Sequence, residues 1–172
     1  MSSPSTSAHR AAAAERPPVR VAILTVSDTR TPETDKSGAL IRARIEAAGQ
    51  VVASYAILPD EPAQIRAHVL ALVEGGSVDA ILSNGGTGIA PRDGTYEALA
   101  GLLEKTLPGF GEIFRMLSYH EVGAAAMLSR AVAGLRKGTL IFAMPGSTNA
   151  VTLAMDKLIV PELAHLVWEM RR

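Results

Sequence analysis

Residues 78–93 read VDAILSNGGTGIAPRD: a short predicted strand, Val78–Leu82, that ends in a loop of serine, asparagine, glycine and threonine. Helical periodicity resumes at Thr95 and carries Leu99, Leu102 and Leu103 on one face, which predicts a helix over Thr95–Lys105. Upstream, Val19–Val26 (VRVAILTV) has the β-branched character of a buried strand and stops at Ser27-Asp28. Leu40, Ile41, Ile45 and Ala48 then share a helix face over Ser37–Ala48, with Asp35 or Ser37 placed to cap its start and Gly49 its end. Val51–Ile57 returns to strand character. A second helix follows, with Ile65, Val69, Leu72 and Val73 inward, Asp60 positioned as its cap and Gly75-Gly76 as its stop. Downstream, Thr139–Met144 (TLIFAM) predicts another strand, and Asn149–Leu158 and Pro161–Met170 predict closing helix, started or kinked by Pro161.

Strand–helix alternation of this kind calls for a mostly parallel sheet with helices on both faces, an α/β/α three-layer sandwich of Rossmann-like type. In such sheets ligands bind beyond the carboxyl ends of the strands. The loops there are Ser27-Asp28-Thr29 with Asp35-Lys36-Ser37-Gly38, Pro59-Asp60-Glu61, Gly85-Gly86-Thr87-Gly88 with Arg92-Asp93, and Pro145-Gly146-Ser147-Thr148-Asn149. Loops dense in glycine, hydroxyls and carboxylates offer backbone N–H groups to an anion. Each is a turn when taken alone, Asp60 alone is a helix cap, and Arg92-Asp93 alone is a solvated pair. All four converge on one rim, and two carboxylates beside a glycine-rich cradle suit a Mg²⁺–nucleotide site. The GGTG turn is not a P-loop, since no Gly-Lys-Ser/Thr follows, and a G-x-G-x-x-G dinucleotide fingerprint is absent.

Composition narrows the classes further. The chain has 172 residues, room for one domain, expected over residues 19–172. Residues 1–18 (MSSPSTSAHRAAAAERPP) have no large apolar residue beyond Met1, which predicts a mobile tail and provides no apolar core for a signal peptide. The absence of cysteine excludes disulfides, thiolate metal sites and a cysteine nucleophile. Seventeen basic residues against seventeen acidic ones leave no excess for nucleic acid. Apolar runs such as Ala124–Leu128 fall far short of a membrane span, so a cytoplasmic address is expected. His9, His68, His120 and His165 have no metal-ligand spacing.

The segments TVSDTR, DKSG, PDE, NGGTGIAPRDGTYEA, GFGE, LSRAVAG and FAMPGSTNAV occur in that order from Thr25 to Val151. This order resembles the MoaB/Mog family of molybdenum-cofactor biosynthesis proteins, and the details around TVSDTRTPETDKSG and FGEIFRMLS resemble its MoaB branch. The resemblance implies a trimeric or hexameric homo-oligomer. It also implies AMP transfer from Mg-ATP to molybdopterin with release of pyrophosphate, the product passing to a MoeA-like molybdate-insertion partner. It carries the catalytic, Mg²⁺-holding pair onto Asp60 and Asp93. The residues expected to bind molybdopterin or nucleotide are Ser27, Asp28, Ser37, Gly38, Gly85, Gly86, Thr87, Gly88, Arg92, Ser129, Arg130, Pro145, Gly146, Ser147 and Asn149. Gly109-Phe110-Gly111-Glu112 is a flap or a helix entry, and Met116, Leu117, Met127 and Leu128 are core or subunit interface. A non-catalytic pterin-binding scaffold on the same fold is the alternative; a nicotinamide-dependent dehydrogenase is disfavoured by the missing fingerprint.

Overall fold

The computed structural model describes residues 17–172; all but the last two residues of the expected tail, and His9 with them, lie outside the described residues. The elements run β1 (Arg20–Val26), α1 (Lys36–Ala47), β2 (Val51–Leu58), α2 (Pro62–Gly75), β3 (Ala80–Asn84), α3 (Thr95–Ala100), β4 (Lys105–Thr106) and α4 (Pro108–Val122). A 3₁₀ turn (Gly123–Leu128), β5 (Val132–Arg136), β6 (Thr139–Met144) and α5 (Thr148–Ala154) follow. A π-helical turn (Met155–Ile159) leads into α6 (Val160–Arg171). One six-stranded sheet has the order β2-β1-β3-β6-β5-β4. The first four strands are mutually parallel, whereas β5 and β4 add on antiparallel.

The pleat explains the layers. Val21 and Ile23 of β1, Leu82 of β3, and Leu140, Phe142 and Met144 of β6 face one way, onto Ile41 and Ile45 of α1, Phe110 and Phe114 of α4, and α5 and α6. The alternate residues Ala22, Leu24, Val26, Ile81, Ile141 and Ala143 face Ile65, Val69 and Val73 of α2 and Ala98 and Leu99 of α3. The sheet is thus covered on both faces, as its near-continuous apolar strands require.

Several elements differ from expectation. Asp60 does not cap α2: Glu61 precedes Pro62 at the helix start, with no side-chain cap bond. The third helix stops at Ala100, and Lys105 joins a two-residue strand instead. Of the two readings of Gly109–Glu112, the helix entry is the one found: the segment opens α4, begun by Pro108. Ser129-Arg130 lies in the link between the 3₁₀ turn and β5. The predicted break near Pro161 is a continuous helical run with one widened turn. Proline has no N–H for the Lys157 carbonyl, and the π turn accommodates the loss.

Candidate functional site

The carboxyl ends of β1, β2, β3 and β6 bring their loops to one rim, and two glycines let them close up. Gly85 has φ +96°, and a side chain there would overlap the Val26 carbonyl. Its N–H donates to the Met144 carbonyl at 3.1 Å, so the β1, β3 and β6 loops meet backbone to backbone. Gly86 has φ +62°, and a Cβ there would overlap both the Asp60 carboxylate and the Thr95 hydroxyl. That glycine allows a carboxylate to reach under the loop.

Asp60 is buried, at 6% exposure. Its Oδ1 accepts from the Gly94 N–H at 3.3 Å and from Thr95 Oγ1 at 3.2 Å, at the start of α3, 34 residues further along the chain. No cation pairs with it among the described residues. Burial is the main force pushing its pKa above the usual carboxylate range; the Gly94 and Thr95 donors oppose this, and the charges of Asp93 and Asp28 add to it. Asp93, half-buried, accepts the Ala90 N–H on Oδ2 at 2.9 Å, a contact for which Gly88 leaves room.

Asp28 accepts the Asp60 backbone N–H at 3.1 Å and the Arg92 fork at 3.0 and 3.1 Å. The hydrogen bond from Arg92 holds its carboxyl below the usual range. Arg92 also donates to Glu61 at 2.7 Å, and its own pKa is raised, chiefly by Asp28. Beside this acidic half lies a polar recess of about 180 Å³ lined by Thr25, Ser27, Arg30, Asp35, Ser37, Asn84, Gly85 and Gly146. Ser37 Oγ donates to the Gly146 carbonyl at 2.9 Å, and Asp35 caps α1 through the Gly38 N–H while accepting from the Tyr55 hydroxyl at 2.7 Å. A side chain at Gly38 would overlap Asp35. Burial, with the Asp35 carboxylate beside it, pushes the Tyr55 phenol up to about 12. Ser27 and Arg30 also line a wider groove of about 510 Å³ running along Thr31, Tyr55 and Pro59.

Of the expected residues, the structure therefore groups Ser27, Asp28, Ser37, Gly38, Asp60, Gly85, Gly86, Gly88, Arg92, Asp93 and Gly146 on one rim, with Thr87 buried within the loop. Ser147 is spent on capping α5 through the Ala150 N–H, and Pro145 precedes it as the turn out of β6. Asn149 faces a separate groove with Glu121 and Asp156. Arg130 stacks on Tyr96 at 4.4 Å, donates to the Gly88 carbonyl at 3.2 Å and pairs with Glu97, so it steadies the glycine loop, and its neighbour Ser129 ends the 3₁₀ turn. Sequence reasoning missed Glu61, Thr95, Arg30 and Tyr55. TVSDTR and PDE contain Arg30 and Glu61, and only the partners that tertiary structure brings to them reveal their position.

Among the described residues no three His, Cys, Asp or Glu side chains converge as a ready metal cage. Asp60 and Asp93 nevertheless each keep a carboxylate oxygen outside the hydrogen bonds above, an all-oxygen donor set. Mg²⁺ suits such a set, because it takes one or two carboxylates and completes its shell with phosphate oxygens and water.

The family described as probable molybdopterin binding domain matches residues 22–165. The chain is 60% identical over 153 residues to molybdenum cofactor biosynthesis protein B of Halalkalibacterium halodurans, covering 88% of this chain and 89% of that protein. It is 56% identical over 155 residues to the protein of that name in Bacillus subtilis, covering 90% and 91%. Among solved structures, a crystal structure of molybdenum cofactor biosynthesis protein B superposes with a TM-score of 0.88 at 52% identity, over 91% of this chain and 98% of that one. The tungsten cofactor synthesizing protein MoaB of Pyrococcus furiosus gives a TM-score of 0.81 at 34% identity, over 90% and 98%.

Proposed function

This chain belongs to the molybdopterin-binding-domain family of molybdenum cofactor biosynthesis proteins, and from that premise we propose that it transfers AMP from Mg-ATP to the phosphate of molybdopterin. In this reading a pterin phosphate oxygen attacks the α-phosphorus of ATP, the bond to the β-phosphate oxygen breaks, and pyrophosphate leaves. Little covalent chemistry falls to the protein, so the acceleration comes from positioning and charge neutralisation.

The observation that carries the reading is Asp60: a buried carboxylate with no cationic partner among the described residues, beside Asp93 and Asp28. Burying a charge unpaired is costly, and the cost is offset when a cation arrives with the substrate. Asp60 and Asp93 would hold Mg²⁺, which when bound neutralises triphosphate charge and lines the phosphates up for attack. Gly86, Thr87 and Gly88 would present backbone N–H groups to a phosphate, while Gly85, whose N–H is spent on the Met144 carbonyl, would hold the cradle close against β1 and β6. Ser27, Ser37, Asn84 and Gly146 would line the neighbouring recess for the rest of the ligand. Arg130 acts in this scheme by fixing the Gly88 end of the cradle.

The same proposal includes a cytoplasmic setting, a MoeA-like protein receiving the adenylylated pterin, and a homo-oligomer. Among the described residues no helix is long and apolar enough to cross a membrane. Association of copies is supported by the apolar side chains that α4 and the 3₁₀ turn leave exposed, among them Met116, Val122, Met127 and Leu128. The deciding experiment incubates the purified protein with molybdopterin and Mg-ATP and follows pyrophosphate. Release that needs both magnesium and molybdopterin is the expected result. Tight molybdopterin binding with no release would replace the transferase with a binding scaffold.

A further inference from the structure

Arg92 joins three loops with one side chain. Its Nε and Nη2 fork onto both oxygens of Asp28, beyond β1, at 3.1 and 3.0 Å. Its Nη1 reaches Glu61, beyond β2, at 2.7 Å, while Arg92 itself sits beyond β3, next to Asp93. All three partners are open to water, with side-chain exposures of 55% for Arg92, 41% for Asp28 and 44% for Glu61. Ion pairs so exposed hold weakly and open readily. The planar guanidinium fork that fits the Asp28 carboxylate fits a phosphate equally well. Arg30, which lines the neighbouring recess, donates to the Thr34 carbonyl at 3.2 Å and has no carboxylate partner among the described residues. Of the two, only Arg92 is restrained by acids.

We propose that Glu61, together with Asp28, parks the Arg92 guanidinium away from the cradle, that an incoming triphosphate takes the guanidinium over, and that Glu61 thereby sets the affinity of the site for nucleotide. This rests on the nucleotide-binding reading above. Asp28 is the less informative of the two acids to alter, because it also accepts the Asp60 backbone N–H and its loss would disturb that carboxylate. Glu61 makes no side-chain cap bond to α2, so its carboxylate is free of that duty. A residue that merely stapled loops together would weaken binding when altered. A parking residue strengthens it.

The test is a double-mutant cycle on Mg-ATP affinity, measured by calorimetry on the full chain: the parent protein, Glu61→Gln, Arg92→Gln and the double variant. Glu61→Gln is expected to tighten Mg-ATP roughly threefold to fivefold, the scale of an exposed ion pair. Arg92→Gln is expected to weaken it roughly tenfold or more, as loss of a charge-assisted phosphate contact does. Glu61→Ala, which cannot hydrogen-bond Arg92 at all, should tighten at least as much as Glu61→Gln. In the Arg92→Gln background the Glu61 effect should vanish. Equal tightening in both backgrounds would mean that Glu61 acts only by bulk charge and would overturn the proposal, as would weakening or no change in Glu61→Gln. A parent protein that binds no Mg-ATP would overturn the nucleotide reading itself, an outcome distinct from all of these.

Discussion

Asp60 and Asp79 are both buried, at 6% and 4% exposure, and they lie at opposite ends of the parallel strands of the sheet. Asp79 stands just before β3 at the amino edge and is fully paired. Its Oδ2 accepts the Arg20 backbone N–H at 2.8 Å and Arg20 Nε at 3.3 Å. Its Oδ1 accepts Arg20 Nη2 at 2.7 Å and Arg171 Nη2 at 2.6 Å, tying the last turn of α6 to the sheet. Asp60, at the carboxyl edge, has only neutral donors among the described residues and is faced by two further carboxylates. For Asp79, burial works to raise the pKa, but the Arg20 hydrogen bonds and the Arg171 and Arg20 charges outweigh it, so the carboxyl sits below its usual range. For Asp60, burial and like charges prevail and the pKa sits above it. Equal burial of the same residue type thus has two outcomes: at one edge the charge is paired and holds the fold together, and at the other it is left uncompensated among the described residues, as the proposed Mg²⁺ site requires.

The largest expected contrast is in activity. Asp60→Asn or Asp93→Asn should cut AMP transfer at least about 100-fold, the scale of a lost electrostatic contact at a transferring phosphate. Asp79→Asn, assayed well below its melting temperature, should retain near-parental turnover. Comparable pyrophosphate release from Asp93→Asn and the parent would break the assignment of the carboxyl edge.

The next contrast is in stability. Asp79→Asn should cost about 2–3 kcal/mol at pH 7, because it removes charge-assisted bonds to two arginines. In a chain of this size that lowers the melting temperature by roughly 5–10 °C. Asp60→Asn should do the reverse, raising the melting temperature by about 2–4 °C as an uncompensated buried charge is removed.

The two effects should also fade at acid pH, for opposite reasons. Asp79 has a lowered folded pKa, so its contribution is present above its unfolded value of about 4 and is lost as pH falls through the folded one. Asp60 has a raised folded pKa, so its penalty is absent below about pH 4 and develops as pH rises through the folded value. Melting curves of the two variants against the parent between pH 3 and 7 should converge at the acid end. An Asp60→Asn advantage that persisted at pH 3 would mean that its origin is not charge.

The smallest effect sharpens the paired edge. Arg171 contributes one hydrogen bond from a half-exposed side chain, so Arg171→Ala should cost only about 0.5–1 kcal/mol. Arg20→Ala, which removes two side-chain hydrogen bonds, should cost more, and chemical denaturation can order the two.

The sequence by itself determined the strand–helix alternation, the parallel core of β1, β2, β3 and β6, and which loops share a rim. Those features follow from apolar spacing and from glycine and proline punctuation, which act between residues a few positions apart. Where the local signal was weak, elements went unassigned. The two glycines at Gly109 and Gly111 and the exposed Ile113 and Met116 blur the periodicity of α4. Strand β5 is only five residues with Gly134 inside, a glycine kept because the β4 backbone at Lys105 packs directly on it. Its hairpin to β6 turns on Lys137-Gly138, at φ +43° and +74°, a two-residue turn that the Lys-Gly pair alone does not single out. Tertiary structure alone decided what the carboxylates do. From spacing, Asp60 is a cap for the helix that follows it and Asp79 is one polar residue in a strand. Strand order carries Asp60 to the start of α3 and Asp79 between two arginines, one of them 92 residues away. A pKa depends on which charges and donors surround a group in space, and in this chain those neighbours come from loops and helix ends distant in sequence.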